Sequence, residues 1–294
     1  MRMNHSTPQR APHRTRHAHP HDSGHGMGDQ GDFLDLEADV LAGHIASITA
    51  WLPLGAEPGH IVDLGCGTGA GTLALLDRFP GARLTAVDSS TAHLDRLRRK
   101  AAAAGAADRT TLVHADLDAA DWPALGAPEL VWASASLHHM ADPGRTLRTV
   151  HELLAPGGLL AVVEPAGFPR FLPGDAPETA PGLEERCHAL LADHHAAHVP
   201  RRGADWAAPL TAAGLTVESR RTLTVGVPLS RTEAVGRYAL SGLRRMRDKV
   251  APSLTDGDLT ALDGLLDTGG PHSILRRADL SVRTELTVWA ARRP

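Results

Sequence analysis

The chain has 294 residues, of which 42% are hydrophobic, and this is enough for one large α/β domain with a full core. Its formal net charge of -4 provides no basic surface for DNA or RNA, so we expect no nucleic-acid partner. Its two cysteines cannot form a disulfide framework. No stretch reaches the roughly 18 to 20 apolar residues that a membrane span needs. We therefore predict a cytoplasmic protein without a membrane partner.

Residues 1 to 31 form a separate segment, rich in histidine, arginine, proline and glycine and poor in large apolar residues. Such a segment cannot bury enough surface to offset the entropy lost on ordering, so we predict a disordered His-rich tail. We predict no metal site, because the tail has no fixed ligand spacing, and His194 and His198 have no identifiable third ligand. Residues 32 to 294 are predicted to form the folded domain.

The first predicted elements of this domain are a helix and a strand that runs into a glycine-rich turn. Residues 33 to 54 carry apolar side chains at near-helical spacing, and residues 60 to 71 join a short apolar strand to a second helix. Gly65, Gly67 and Gly69 let the backbone between them turn sharply and approach a ligand closely. The turn therefore predicts a nucleotide-like ligand. It also fits the G-x-G-x-x-A pattern of dinucleotide-binding proteins, which leaves NAD as an alternative.

The chain then alternates strands and helices as far as Glu164. The second strand ends at Asp88, about 20 residues beyond the glycines, where a carboxylate can bind the hydroxyls of a ribose. Further apolar runs precede Asp116 and span residues 130 to 134, and Asp142 with the following proline is typical of a helix start. This alternation predicts a parallel sheet with right-handed crossovers.

With these residues in this order, residues 60 to 165 resemble the class I S-adenosylmethionine-dependent methyltransferases of the small-molecule type. The resemblance rests on Asp63 before the glycines, on the turn itself, and on Asp88 and Asp116 after the next two strands. It extends through the segments that lead into and out of strands four and five. It implies a doubly wound, Rossmann-like sheet of seven strands whose last strand is antiparallel. Residues 215 to 225 and 284 to 291 are the candidates for strands six and seven.

The resemblance also implies the cofactor and the residues that bind it. The cofactor is S-adenosyl-L-methionine, whose methionine portion would lie on the glycine turn, with its ribose at the second strand and its adenine after the third. The residues that would bind it are Asp63, Gly65, Cys66, Gly67, Gly69, Asp88, Ser89, Asp116, Leu117, Ala133 and Ser134. By this resemblance the protein is a transferase that methylates a small-molecule substrate.

Three further residues are candidates for catalysis. His138, His139 and Glu164 follow strands four and five, so they should face the substrate end of the cleft. A histidine suits a general base, because its ordinary pKa lies near neutral pH. Residues 165 to 213 and 228 to 272 exceed what the sheet needs, and we predict that these insertions are helical caps that select the acceptor.

Two other functions stay open at this point. A non-catalytic cofactor-binding or regulatory protein could keep the same fold, although no DNA-binding module is recognisable. An NAD-dependent oxidoreductase could use the same turn with Asp88. It would leave Asp63 and the segment from residue 136 to 143 without a role. The sequence carries no signal for an oligomeric state.

Overall fold

The computed structural model describes residues 27 to 198 and 201 to 294. The predicted tail up to residue 26, and the side chains of His194 and His198, lie outside the described residues. None of the helices within the described ranges is long and apolar enough to cross a membrane.

Seven strands and eight α-helices alternate along the described part of the chain. In chain order they are α1 (Met27–Trp51), β1 (His60–Leu64), α2 (Ala70–Arg78), β2 (Arg83–Asp88), α3 (Thr91–Ala103), β3 (Thr110–His114), β4 (Leu130–Ser134), α4 (Pro143–Leu153), β5 (Leu159–Pro165), α5 (Leu183–His198), α6 (Ala207–Ala212), β6 (Thr216–Pro228), α7 (Ala234–Val250), α8 (Asp256–Leu266) and β7 (Ser281–Arg292). The two segments predicted to be caps contain α5 and α6, and α7 and α8.

The strands form one sheet in the order β3-β2-β1-β4-β5-β7-β6. Strands β1 to β5 are parallel, and β7 pairs antiparallel with both β5 and β6. The predicted doubly wound fold of seven strands with an antiparallel last strand is therefore confirmed. Strand order reverses between β1 and β4, and in such sheets ligands bind at the carboxyl ends of the strands beside this point.

Helices cover both faces of the sheet, so its central strands β1, β4 and β5 are buried on both sides. Ile61 of β1 belongs to the hydrophobic cluster under α1, α2, α3 and α7, whereas the next residue, Val62, belongs to the cluster under α4 and α6. Successive side chains of a strand point to opposite faces. This explains why the parallel strands read as continuous apolar runs rather than as alternating ones.

Helix α1 begins earlier than its sequence predicts, at Met27, so residues 27 to 31 of the predicted tail are helical. Its first turns are tied to α3 by ion pairs: Arg96 Nη1 lies 2.7 Å from Asp32 Oδ1 and 3.0 Å from Asp35 Oδ2. These contacts join residues distant in the chain, and the apolar spacing used to predict the helix cannot report them. By contrast, Asp142 caps α4 as predicted, accepting a hydrogen bond from the Arg145 amide at 2.9 Å.

Candidate active site

The glycine turn occupies residues 65 to 69, between the end of β1 and the start of α2. Gly67 and Gly69 have φ angles of +52° and +95°, a region that side chains other than glycine rarely adopt. A Cβ on Gly69 would lie 2.3 Å from Leu97 Cδ1. The turn therefore needs glycine at residue 69 for two reasons, the backbone conformation and the close packing of α3.

Asp88 ends β2 and is hydrogen-bonded to the glycine turn. Its Oδ2 accepts a hydrogen bond from the Gly67 amide at 2.8 Å, and its Oδ1 accepts one from the Ser90 amide at 2.8 Å and lies 3.3 Å from His93 Nδ1. Burial alone would raise the pKa of Asp88, but the hydrogen bonds from His93, Ser90 and Gly67 lower it below its usual value. The carboxylate is therefore ionised at neutral pH. The sequence analysis missed His93, which shows no motif of its own.

Asp63 lies one strand away and is in the opposite electrostatic situation. It is only 2% exposed, and its Oδ2 accepts a hydrogen bond from Thr72 Oγ1 at 2.6 Å. Burial raises the pKa of Asp63 to about 7, and the nearby charge of Asp88 adds to this although the Thr72 hydrogen bond opposes it. Asp63 is thus about half protonated at neutral pH in the protein without ligand.

Replacing Asp63 with asparagine is expected to change how stability depends on pH. The pKa of about 7 in the folded protein lies above the ordinary value near 3.9, so between these values the folded state binds more protons than the unfolded state. Asp63 therefore lowers stability as pH rises from about 4 to 7, by at most about 1.4 kcal/mol per pH unit. Urea unfolding at pH 5 and pH 7.5 should show a smaller loss of stability in Asp63→Asn than in the parent. Equal losses in the two proteins would contradict the shifted pKa. Asp77→Asn, on the exposed side of α2, serves as the control.

The remaining residues predicted to bind the cofactor follow the carboxyl ends of strands, as the sequence indicates. Asp116 is exposed after β3, and its Oδ1 accepts a hydrogen bond from the Asp118 amide at 2.9 Å. The carbonyl of buried Leu117 accepts one from Trp122 Nε1 at 3.1 Å. The other members of the set lie on the same edge of the sheet: Ser89 follows β2, and Ala133 and Ser134 end β4.

Cys66 lies inside the glycine turn and is buried, with its Sγ 3.6 Å from the Gly67 carbonyl oxygen. Burial raises the pKa of the Cys66 thiol far above its ordinary value, and the charges of Asp63 and Asp88 add to this effect. A thiol in this state is a poor nucleophile. Its position fits a small residue that lines the turn, as the sequence analysis expects.

The structure pairs two of the three predicted catalytic residues. Glu164 lies near the end of β5, and His138 lies in a short 3-10 turn after β4; both are 2% exposed. His138 Nδ1 is hydrogen-bonded to Glu164 Oε2, and Glu164 Oε1 accepts a hydrogen bond from the Leu137 amide at 2.9 Å. Because a carboxylate can only accept, the proton of the ring belongs on Nδ1, which leaves the Nε2 lone pair available to accept another.

The backbone after β4 makes this pairing possible. Ala135 has a φ angle of +49°, and its amide donates a hydrogen bond to the Val163 carbonyl at 2.8 Å. This left-handed residue turns the chain so that the 3-10 turn lies against the end of β5. Non-glycine residues with such a conformation are often found at functional sites. Nothing in an alanine signals it in the sequence.

His139 differs from its neighbour. Its ring lies against the His138 ring, with centroids 4.1 Å apart, and part of the residue is exposed. Partial burial of the ring lowers the pKa of His139 to about 4, and electrostatic interactions with His138 and Arg202 lower it further. His139 is therefore neutral at physiological pH, and among the described side chains no carboxylate is hydrogen-bonded to it as Glu164 is to His138.

Three residues that the sequence analysis did not assign to the catalytic site lie beside this pair. Tyr238 of α7 donates a hydrogen bond from its hydroxyl to Glu37 Oε1 of α1 at 2.7 Å. Arg202 Nη1 lies 3.4 Å from His138 Nε2, and its guanidinium stacks over the Phe168 ring at 4.0 Å. Glu37, Arg202 and Tyr238 line a cavity of about 20 Å³. We call these three residues, with His138 and Glu164, the polar cluster.

Comparison with known proteins gives a matching family profile and several similar sequences. A family profile described as "Methyltransferase domain" matches residues 62 to 160. The trans-aconitate 2-methyltransferase of Streptomyces coelicolor is 32% identical over 239 residues, which cover 77% of this chain and 74% of that protein. The trans-aconitate 2-methyltransferase of Acidovorax sp. (strain JS42) is 42% identical over 108 residues, or 37% of this chain. The chain spans 39% of the length of that relative.

Solved structures share the fold. A candidate methyltransferase from Bacillus halodurans superimposes with a TM-score of 0.53 at 17% identity, over 86% of this chain and 99% of that one. The YcgJ protein of Bacillus subtilis gives a TM-score of 0.52 at 14% identity, over 85% of this chain and 98% of that one. At these identities the likeness concerns the fold alone.

Proposed function

Because the chain belongs to the class I S-adenosylmethionine-dependent methyltransferases, we propose that it transfers the methyl group of S-adenosylmethionine to a small-molecule acceptor. One observation carries the proposal. The glycine turn with its ionised Asp88, and the His138–Glu164 pair, lie at the same carboxyl edge of the sheet, after β1, β2, β4 and β5. A donor site and a proton-accepting group side by side are what this reaction needs.

The residues around the turn fit this cofactor. The ionised carboxylate of Asp88 is an acceptor for ribose hydroxyls, and such charge-assisted hydrogen bonds are strong. Its 3.3 Å contact with His93 is long enough to yield to a hydroxyl. A Cβ on Gly67 would lie 3.5 Å from Leu34 Cδ1, in the space between the turn and α1. In our proposal the full set predicted from the sequence binds the cofactor, with Asp116 and Leu117 at the adenine and Ala133 and Ser134 near the methyl group.

When bound, S-adenosylmethionine supplies a methyl group on a positively charged sulfur, which an acceptor atom takes as the carbon–sulfur electron pair returns to sulfur. The role that we propose for this chain is to align the acceptor and to accept its proton where it has one. His138 Nε2 would take the proton from an acceptor hydroxyl. Glu164 would hold the ring in place and stabilise the positive charge that forms on it.

The two insertions are proposed to cap the acceptor side of the site. Tyr238, Leu243 and Met246 of α7 are all buried in the hydrophobic core, and Tyr238 alone of them also lines the cavity of the polar cluster. Of these three, Tyr238 is therefore the one placed to contact an acceptor. A cytoplasmic location is also part of the proposal, supported by Cys66 and Cys187, both of which are buried and unpaired.

The decisive experiment uses the full chain and two measurements. Calorimetry should show binding of S-adenosylmethionine and S-adenosylhomocysteine and none of NAD. Release of S-adenosylhomocysteine is then measured with phenols, amines, carboxylic acids and trans-aconitate, the last because relatives carry that name. Acceptor-dependent release is the expected result. Tight binding of NAD without S-adenosylmethionine would favour an oxidoreductase, and cofactor binding without turnover on any acceptor would favour the non-catalytic alternative.

A further inference from the structure

Resting on the proposed methyl transfer, we propose that the acceptor carries a carboxylate and that Arg202 is the residue that binds it. The guanidinium of Arg202 has unusual surroundings. Its Nε donates a hydrogen bond to the Gly167 carbonyl at 3.3 Å, and its Nη1 contacts His138 Nε2 at 3.4 Å. Both contacts are long, and the guanidinium carries more N–H donors than they use.

Among the side chains that the structure describes, those of residues 30 to 192 and 201 to 294, no Asp or Glu oxygen lies within 4.0 Å of the Arg202 guanidinium nitrogens. The side chain is nevertheless partly buried, and burial lowers the pKa of Arg202. The charges of Glu37 and Glu164 oppose this shift, but neither carboxylate touches the guanidinium, and a partly buried cation gains from a direct contact with an anion. A guanidinium with unused N–H donors is suited to bind a carboxylate, because the two carboxylate oxygens can accept two parallel hydrogen bonds from the planar group.

The nearest acidic groups do not fill this role. Glu164 is engaged by His138 and by the Leu137 amide. Glu37 accepts the hydrogen bond of Tyr238, and burial raises the pKa of Glu37, which favours its neutral form. The polar cluster therefore contains the Arg202 cation and two carboxyl groups that are not paired with it. Glu164 is hydrogen-bonded to other groups, and the raised pKa of Glu37 favours its neutral form.

Contacts along two routes place Arg202 next to the methyl-donor site. On one route, Leu34 of α1 approaches Gly67 of the glycine turn. Glu37 lies one turn further along α1 and lines the same cavity as Arg202. On the other route, Ser136 is packed against Gly65, because a Cβ added to Gly65 would lie 2.7 Å from the Ser136 Cβ. His138 follows Ser136 by two residues in the chain. The guanidinium thus lies across the polar cluster from the glycine turn, where an acceptor must be held.

Further cations surround the same place. Arg245 and Lys249 follow Tyr238 on one face of α7, at spacings of seven and eleven residues. Burial lowers the pKa of Lys249, and the positive charges of Arg245 and Arg202 lower it further, so these three groups repel one another. The repulsion between these cations favours an anionic acceptor beside Arg202.

The cavity of about 20 Å³ is the size of one bound water. An acceptor therefore requires the lining residues to separate, and its carboxylate would replace the long contacts of Arg202 with the Gly167 carbonyl and with His138 Nε2. Phe168, stacked under the guanidinium, would keep the cation in place during this exchange. Closed sites of this kind exclude water from the reacting atoms.

Calorimetry on the full chain saturated with S-adenosylhomocysteine tests the inference. The probes are trans-aconitate, succinate and benzoate, each beside its methyl ester. We expect at least one carboxylate to bind the parent, and its ester to bind about 30-fold more weakly or worse. Arg202→Gln should lose about 30-fold or more in carboxylate affinity and Arg202→Lys about 10-fold, since lysine keeps the charge and loses the fork. The matched control is Arg237→Gln on the exposed side of α7, which should bind like the parent.

The outcomes separate this inference from the proposed function. Unchanged carboxylate affinity in Arg202→Gln overturns the inference, and so does a parent protein that binds none of the three carboxylates but methylates a neutral acceptor. If Arg202→Gln is unfolded, Arg202→Lys provides the test instead. An Arg202→Lys protein that binds S-adenosylhomocysteine normally but binds the carboxylate more weakly supports the role of Arg202 in recognising the acceptor. Failure of the parent to bind S-adenosylhomocysteine would count against the proposed function instead.

Discussion

Replacing His138 with glutamine is expected to lower the turnover number about 100-fold or more on a hydroxyl acceptor, because the general base that we propose for its proton is removed. Affinity for S-adenosylhomocysteine should be unchanged, since the polar contacts of the His138 ring are with Glu164 and Arg202 of the polar cluster. Glu164→Gln should also lower turnover, because a neutral amide neither favours the proton on Nδ1 nor stabilises a charged imidazole. Steady-state kinetics together with calorimetry measures both effects.

The adjacent histidine supplies the matched control. His139→Gln should stay within a few-fold of the parent, because His139 contacts the His138 ring but has no carboxylate partner. Equal losses in the two histidine variants would mean that the stacked rings act by packing. Turnover within a few-fold of the parent in both His138→Gln and Glu164→Gln would leave alignment of the acceptor as the main contribution of the site.

Replacing Asp88 with alanine is expected to weaken S-adenosylmethionine binding by about 2 kcal/mol or more, which is roughly 30-fold. The variant loses the acceptor for the ribose hydroxyls, and it also leaves the Gly67 amide without its 2.8 Å hydrogen bond, so the turn itself is less well held. Gly67→Val should cause a comparable loss, since valine disfavours a φ of +52° and its side chain would enter the space in front of Leu34. Calorimetry measures both variants.

Asp77→Asn is the control for this series, because it removes one negative charge from the exposed side of α2 and should leave affinity within about 2-fold of the parent. Melting temperatures without ligand separate loss of binding from loss of folding. An Asp88→Ala protein that is folded and binds S-adenosylmethionine as tightly as the parent would remove Asp88 from the site.

The sequence by itself was sufficient for the doubly wound sheet, and for the glycine turn and Asp88 that lie together at its carboxyl edge. Gly67 and Gly69 are recognisable because a left-handed backbone needs glycine, and Asp142 because a helix start needs an acceptor for its first amides. The spacing of apolar residues indicated which segments are strands and which are helices. Their alternation along the chain predicts the parallel sheet. These are local requirements, so each can be recognised from a few adjacent residues. Asp88 can be recognised because a strand–helix–strand unit has a nearly fixed length, which sets where its second strand ends.

Only the tertiary structure decided which side chains meet at the acceptor end. The hydrogen bond between Glu37 and Tyr238 joins residues 201 positions apart, and no spacing rule links them. The choice of His138 over His139 as the partner of Glu164 depends on the left-handed Ala135, a conformation for which alanine has no preference. Arg202 has no motif at all. Contacts of this kind depend on how helices pack on a finished sheet, because packing brings together residues whose local sequences are independent of one another.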